Sequence, residues 1–159
     1  MILVLLGTQD KPFLRLLKMV SKEIDKGNIK EKVVAQTGYT AFSDKNMESF
    51  DFKNKEEIEK LIDKARIIIT HAGVGTITEC LEKGKKIIVV PRLKKYLEHT
   101  NDHQMQITKE FEMKGYVIAL YDNKRLSVAL EKIKTFKPKR YESNSENFRM
   151  KIKDYIDNI

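Results

Sequence analysis

The chain has 159 residues, 41% hydrophobic and 34% charged, with 31 Lys and Arg against 23 Asp and Glu for a net charge of +8. This length and balance predict one globular domain with its own core, and they exclude a disordered or low-complexity chain. Apolar runs such as 2–6 and 87–90 are far too short to cross a bilayer, and the single cysteine, Cys80, excludes an internal disulfide and suits a reducing cytosol.

In chain order, residues 1–6 read as a buried strand followed by a turn at Gly7-Thr8. Strand-like sequence this early leaves no room for a signal peptide, so a cytoplasmic protein is expected. Residues 11–26 predict a helix, with Phe13, Leu16, Leu17, Val20 and Ile24 on one face. A strand over 32–36 closes at Thr37-Gly38. Residues 47–52 alternate weakly, as an edge strand would, and 55–64 form a short helix carrying Ile58, Leu61 and Ile62.

A strand over 66–70 then leads through small residues into a helix over 76–83, stopped by Gly84. Residues 86–90 form another β-branched strand, ended by Pro91. A polar, basic loop is expected over 92–100, and a helix over 101–114 with Thr100 or Asn101 as its N-cap. A strand over 116–120 and a helix over 124–134 complete a domain spanning 1–135. The tail, 136–159, is highly charged and carries one apolar helical stripe: Phe148, Ile152, Tyr155 and Ile156. Strands alternating with helices imply an α/β fold with a parallel sheet covered on both faces.

In such sheets ligands lie beyond the carboxyl ends of the strands. Gly7-Thr8-Gln9, Gln36-Thr37-Gly38, residues 71–76 and residues 91–104 all follow predicted strands directly. Of these, His71-Ala72-Gly73-Val74-Gly75-Thr76 is the most informative. A strand, a small-residue turn and a helix start together form an anion site, where free amides and the positive helix end face the ligand. Gly73 and Gly75 admit a ligand to the backbone, and Glu79, one turn later, is placed to grip a sugar hydroxyl. Gly73-Val74-Gly75 begins like a dinucleotide fingerprint, but Thr78 stands at the third glycine position and no Walker lysine follows. A plain tight turn with Glu79 as a surface charge is the simpler structural alternative.

The second cluster is Glu98-His99-Thr100-Asn101-Asp102-His103-Gln104. Its density of donors and acceptors suits a hydroxyl-rich ligand better than a metal, for which a third close ligand is lacking. Cys80 lies on an apolar helix face and reads as core. Lysines and arginines concentrate at Lys83, Lys85, Lys86, Arg92, Lys94, Lys95 and again at Lys132, Lys134, Lys137, Lys139, Arg140. They favour an anionic partner or simply form a solvated surface. A nucleic-acid role is disfavoured because the polar cluster sits at strand ends without an aromatic platform.

On these segments, together with Gly84-Lys85 and Ile88-Val89-Val90-Pro91, the chain resembles the GT-B glycosyltransferases of the family-28 C-terminal-domain group over about residues 1–120. Within that group it is most similar to the small catalytic subunits of two-component UDP-sugar transferases. The resemblance implies a single Rossmann-like domain equivalent to the C-terminal half of a GT-B fold. It implies a UDP-sugar donor site in which Gly73, Val74, Gly75 and Thr76 face the pyrophosphate and Glu79 holds the ribose. Asn101, Asp102, His103 and Gln104 would lie by the donor sugar, with His103 and Gln104 in contact, and Gly7 and Thr8 would line the cleft. Two-domain members carry Gln where His103 stands, so the sugar is left open.

The resemblance further implies transfer of a hexose or N-acetylhexosamine to a lipid-linked acceptor, as in exopolysaccharide or capsule synthesis, without a cofactor or bound metal. The acceptor-binding half would come from a membrane-anchored partner, so the protein would sit at the cytoplasmic membrane face through that partner. His71 and His99 are the local candidates for the general base. A non-catalytic, nucleotide-binding accessory subunit is the alternative reading.

Overall fold

The computed structural model describes residues 1–143. Six strands, β1 (Ile2–Leu5), β2 (Val33–Gln36), β3 (Glu48–Phe50), β4 (Ile67–Thr70), β5 (Lys86–Val89) and β6 (Ile118–Ala119), form one sheet. Its order is β3-β2-β1-β4-β5-β6 and every pairing is parallel. Five helices accompany them among the described residues: α1 (Leu14–Asp25), α2 (Lys55–Lys64), α3 (Val74–Glu82), α4 (His103–Met113) and α5 (Leu126–Thr135).

The continuous apolar runs follow from burial on both faces, since successive strand side chains point to opposite sides. Ile2, Val4 and Leu6 join the core made with α1 and α5, through Leu16, Leu17, Val20, Leu126 and Ile133. Leu3 and Leu5 join the opposite core, where α2 and α3 contribute Ile62, Ile77, Cys80 and Leu81. The edge strand β3 is largely exposed, matching its weak alternation.

Strand order reverses around β1, which lies between β2 and β4. The carboxyl ends of β1 and β4 therefore splay apart into the crevice where doubly wound sheets take ligands. Gly7 and His71 open the two loops at that crevice.

Element boundaries depart from expectation at several places; α5 starts at Leu126, not at residue 124, and β6 is confined to Ile118–Ala119. α1 starts at Leu14, not at residue 11, because the Phe13 amide donates to the Thr40 hydroxyl (3.0 Å) and keeps 11–13 in a loop. α3 starts at Val74, two residues early, with Gly73 as N-cap. The N-cap of α4 is Asp102, not Thr100 or Asn101; the Asn101 side chain instead accepts from the His103 amide (2.9 Å). Segment 92–100 is a loop, as expected, but it is anchored: Arg92, Leu93 and Glu98 are buried, and a short 3-10 turn spans Lys94–Tyr96.

After α5 the chain returns along the sheet's amino edge, where the Lys139 amide donates to the Gly115 carbonyl (3.0 Å) and Tyr141 packs edge-on to Tyr116. The expected stripe of Phe148, Ile152, Tyr155 and Ile156 lies outside the described residues. Among the described residues no helix is long and apolar enough to cross a membrane.

Candidate functional site at the carboxyl edge of the sheet

The small residues after β4 leave the start of α3 open. Gly73 caps the helix without a side-chain bond, and the first amide with an intrahelical acceptor is Ile77, bonded to the Gly73 carbonyl (3.0 Å). The amides of Val74, Gly75 and Thr76 are left for an external acceptor. Val74 and Gly75 are exposed, and Thr76 and Glu79 are half-buried. The Thr76 hydroxyl makes no hydrogen bond among the described residues, whereas Thr78 turns its hydroxyl back to the Val74 and Gly75 carbonyls (2.9 and 3.0 Å). Glu79 lines a groove of about 380 Å3 with Lys55, Glu59, Thr78, Glu82 and Lys83.

The two glycines of this turn have different jobs. A Cβ on Gly73 would stand 2.2 Å from the His71 ring, and a Cβ on Gly7, which has a φ of 77°, would stand 2.4 Å from it. Gly7 and Gly73 therefore make room for His71 rather than for a ligand. Around Gly75 an added Cβ meets nothing within 4 Å, so this glycine faces open space.

His71 is 9% exposed, and its Nε2 has no hydrogen-bond partner among the described residues. Burial, with the charges of Arg92 and His99, pushes its pKa down to about 4, so the ring is neutral at pH 7. Its Nδ1 lies 3.4 Å from the Gln104 side-chain nitrogen. The amide orientation of Gln104 is fixed because its Oε1 accepts from the backbone of both Ala72 and Arg92 (3.1 Å each). The Gln104 NH2 therefore donates to Nδ1, and the ring proton resides on the unpartnered Nε2.

A second layer braces the loops from below. Glu98, 3% exposed, takes both oxygens to Arg15 (2.9 and 2.8 Å) and accepts from the Leu93 amide (3.0 Å). Arg15 also donates to the Pro91 carbonyl (2.9 Å), joining α1 to the loop after β5.

The structure thus brings Gly7, His71, Gly73 and Gln104 into one cluster, with Val74, Gly75, Thr76 and Glu79 along α3 beside it. Thr8, Asn101, Asp102 and His103 are exposed. Part of the second cluster is spent locally: Asp102 accepts from the Lys94 amide (2.8 Å), and His99 accepts from the Asn101 amide (3.3 Å). Because α4 begins at His103, His99 lies outside it and the two histidines do not share a helical face. Among the described residues no group of three or more His, Cys, Asp or Glu is disposed to hold a metal ion. Cys80 is fully buried, and burial pushes its thiol up to about 12.

Sequence reasoning missed an aromatic pair at the same edge. Tyr39 and Phe52, after β2 and β3, meet edge-on at 5.1 Å and are 60% and 41% exposed. Their link to the site runs through Gly38, whose added Cβ would meet the Gly7 carbonyl at 3.0 Å and Phe52 at 3.8 Å. Gly38 is legible as a turn, but its two aromatic neighbours belong to different loops.

The whole chain, residues 1–159, matches the glycosyltransferase family 28 C-terminal domain. It is 35% identical over 66 residues to the UDP-N-acetylglucosamine transferase subunit ALG13 of Homo sapiens, covering 42% of this chain and 6% of that protein. It is 30% identical over 138 residues to the UDP-N-acetylglucosamine–N-acetylmuramyl-(pentapeptide) pyrophosphoryl-undecaprenol N-acetylglucosamine transferase of Clostridium tetani, covering 84% of this chain and 34% of that one. The chain spans about a third or less of the length of these relatives. Two solved structures share its fold. One is a kitacinnamycin glycotransferase (TM-score 0.64, 17% identity, covering 84% of this chain and 34% of that chain). The other is an NMR structure of ALG13 (TM-score 0.57, 19% identity, covering 94% and 93%).

Proposed function

This chain belongs to the glycosyltransferase family 28 C-terminal domain family, and from that premise we propose that it is the donor-binding subunit of a UDP-sugar transferase. The observation that carries the proposal is the open start of α3 at the switch point of the sheet. There the amides of Val74, Gly75 and Thr76 are left free, next to Gly73 and the buried His71 ring that it makes room for. These groups suit a diphosphate, and Glu79, a turn further on, suits the ribose hydroxyls. The exposed Tyr39–Phe52 pair offers an apolar face for the base. Both relatives carry UDP-N-acetylglucosamine or N-acetylglucosamine transfer in their names, which favours that sugar.

In this reading charge developing on the departing UDP is met by the α3 amides rather than by a resident metal. His71 is ill suited to deprotonate an acceptor hydroxyl, because burial holds its pKa near 4 and its proton already sits on Nε2. His99, half-buried at the same edge, is the better placed of the two histidines, and a partner subunit is the other source of the base. The word subunit in the human relative's name supports such a partner. By this reading the partner is membrane-anchored and presents a lipid-linked acceptor, holding the chain at the cytoplasmic membrane face. Asn101, Asp102 and His103 then lie toward the donor sugar.

Isothermal titration with UDP, UDP-N-acetylglucosamine and CMP tests the site. Uridine nucleotides should bind, and Glu79→Ala should weaken them by about tenfold, the equivalent of one lost charge-assisted hydrogen bond. A chain that binds no uridine nucleotide sinks the proposal. Binding without transfer, in co-expression with every candidate membrane partner, would instead favour a non-catalytic accessory subunit.

A further inference from the structure

Arg92 is the largest fully buried side chain among the described residues, at 1% exposed, and it lies directly after β5 and Pro91. Its guanidinium is held by main-chain carbonyls from three segments: Lys11 (2.7 Å) and Glu98 (3.2 Å) on one terminal nitrogen, Leu6 (2.8 Å) on the other. The group stacks on Phe13 at 4.8 Å from the ring centroid. Among the described residues no carboxylate pairs with it, and the Glu98 side chain is taken by Arg15.

Two of those carbonyls bracket the loop of residues 7–10, which contains Gly7 and Thr8. The backbone of the same residue works on the other wall: the Arg92 amide shares Gln104 Oε1 with the Ala72 amide, and Gln104 in turn holds His71. One residue thus ties the β1 loop to the β4 turn. A buried charge held only by carbonyls, with its Nε left without a partner among the described residues, is a costly way to fill space, and an apolar side chain of similar volume would avoid the desolvation. What a methionine or leucine lacks is the planar fork that fixes three carbonyls at once, and the positive potential beneath an anion site.

We infer that Arg92 is a positioning residue of the nucleotide site: its fork clamps the Gly7–Asp10 loop against His71, and its buried charge favours a diphosphate above it. The inference rests on the donor-site reading. Separating fork from charge is the way to test it, because Arg92→Lys keeps the charge without the fork and Arg92→Met loses both. UDP titration of the full chain should show affinity reduced about tenfold in Arg92→Lys and further in Arg92→Met.

A nitrogen-15 spectrum of the His71 ring supplies a second readout, because loosening alone would raise its midpoint alike in both variants. Of the charges that act on His71, Arg92 and His99, only the first is altered. The His71 midpoint should therefore stay near 4 in Arg92→Lys and rise above it in Arg92→Met, with burial, the larger cause, still holding it below 6.5. Folded variants that bind UDP within twofold of wild type, or that shift His71 equally, overturn the role. So does failure of both variants to fold, which would make Arg92 a structural residue only. A wild-type chain that does not bind UDP overturns the donor-site reading itself, and this role with it.

Discussion

Gln104 dictates the tautomer of His71. The two side chains meet at 3.4 Å although they are 33 residues apart, and the backbone amides of Ala72 and Arg92 hold the Gln104 oxygen turned away from the ring. Replacing the amide by a carboxylate keeps the oxygen acceptors and places a negative charge at Nδ1. Gln104→Glu should raise the His71 pKa from about 4 and move the ring proton to Nδ1, as read from ring nitrogen shifts. Gln104→Met strands two buried amides and should cost about 2–5 kcal/mol in urea denaturation.

The same histidine predicts an acid slope in stability. Its native pKa of about 4, against an ordinary value of 6.5, means that the unfolded chain binds more protons between those pH values. Stability is therefore whole above pH 6.5 and declines as pH falls toward 4, by on the order of 3 kcal/mol in total. Denaturation midpoints at about pH 7, 5.5 and 4.5 should show this fall in wild type and a shallower one in His71→Asn.

The three turn glycines should separate cleanly. Gly7→Ala and Gly73→Ala drive a methyl into the His71 ring and should each destabilise by about 1–3 kcal/mol, Gly7→Ala more because its φ is positive. Gly75→Ala meets open space inside α3 and should gain up to about 1 kcal/mol of stability. If a diphosphate approaches the backbone there, Gly75→Ala should nevertheless lose UDP affinity. Thermal denaturation and calorimetry, run on the same three variants, check both halves.

Glu98→Gln should be the most damaging single-atom change below the site. It removes the charge that Arg15 meets with two hydrogen bonds, in a side chain 3% exposed, and should cost about 3 kcal/mol. Hydrogen exchange should accelerate most at the Leu93 amide, whose acceptor is Glu98.

Most of the sheet is legible in the sequence because its strands are short apolar runs bounded by glycine and proline, a local signal. α2 is legible to the residue because Asn54 and Glu57 cap it reciprocally within four positions. α3 reads two residues short because Val74 and Gly75 are poor helix formers; the turn's place at the end of β4 starts the helix there. The anion site itself is therefore visible, but the roles of its glycines are not. Gly73 is needed for a ring two residues back that Gly7, one strand away, must also clear, and no spacing rule encodes that contact. The burial of Arg92 and Glu98 is hidden for a similar reason. Charge in a loop ordinarily signals exposure, and their partners Leu6, Lys11 and Arg15 come from the far end of the chain.

Cys80 sits sealed beneath α3, fully buried and with its thiol pushed up to about 12. As the chain's only thiol, it leaves the folded protein silent toward thiol-directed dyes and spin labels at neutral pH. A second cysteine at exposed Val74 or Leu97 would then carry a single reporter, with no background, into the mouth of the site.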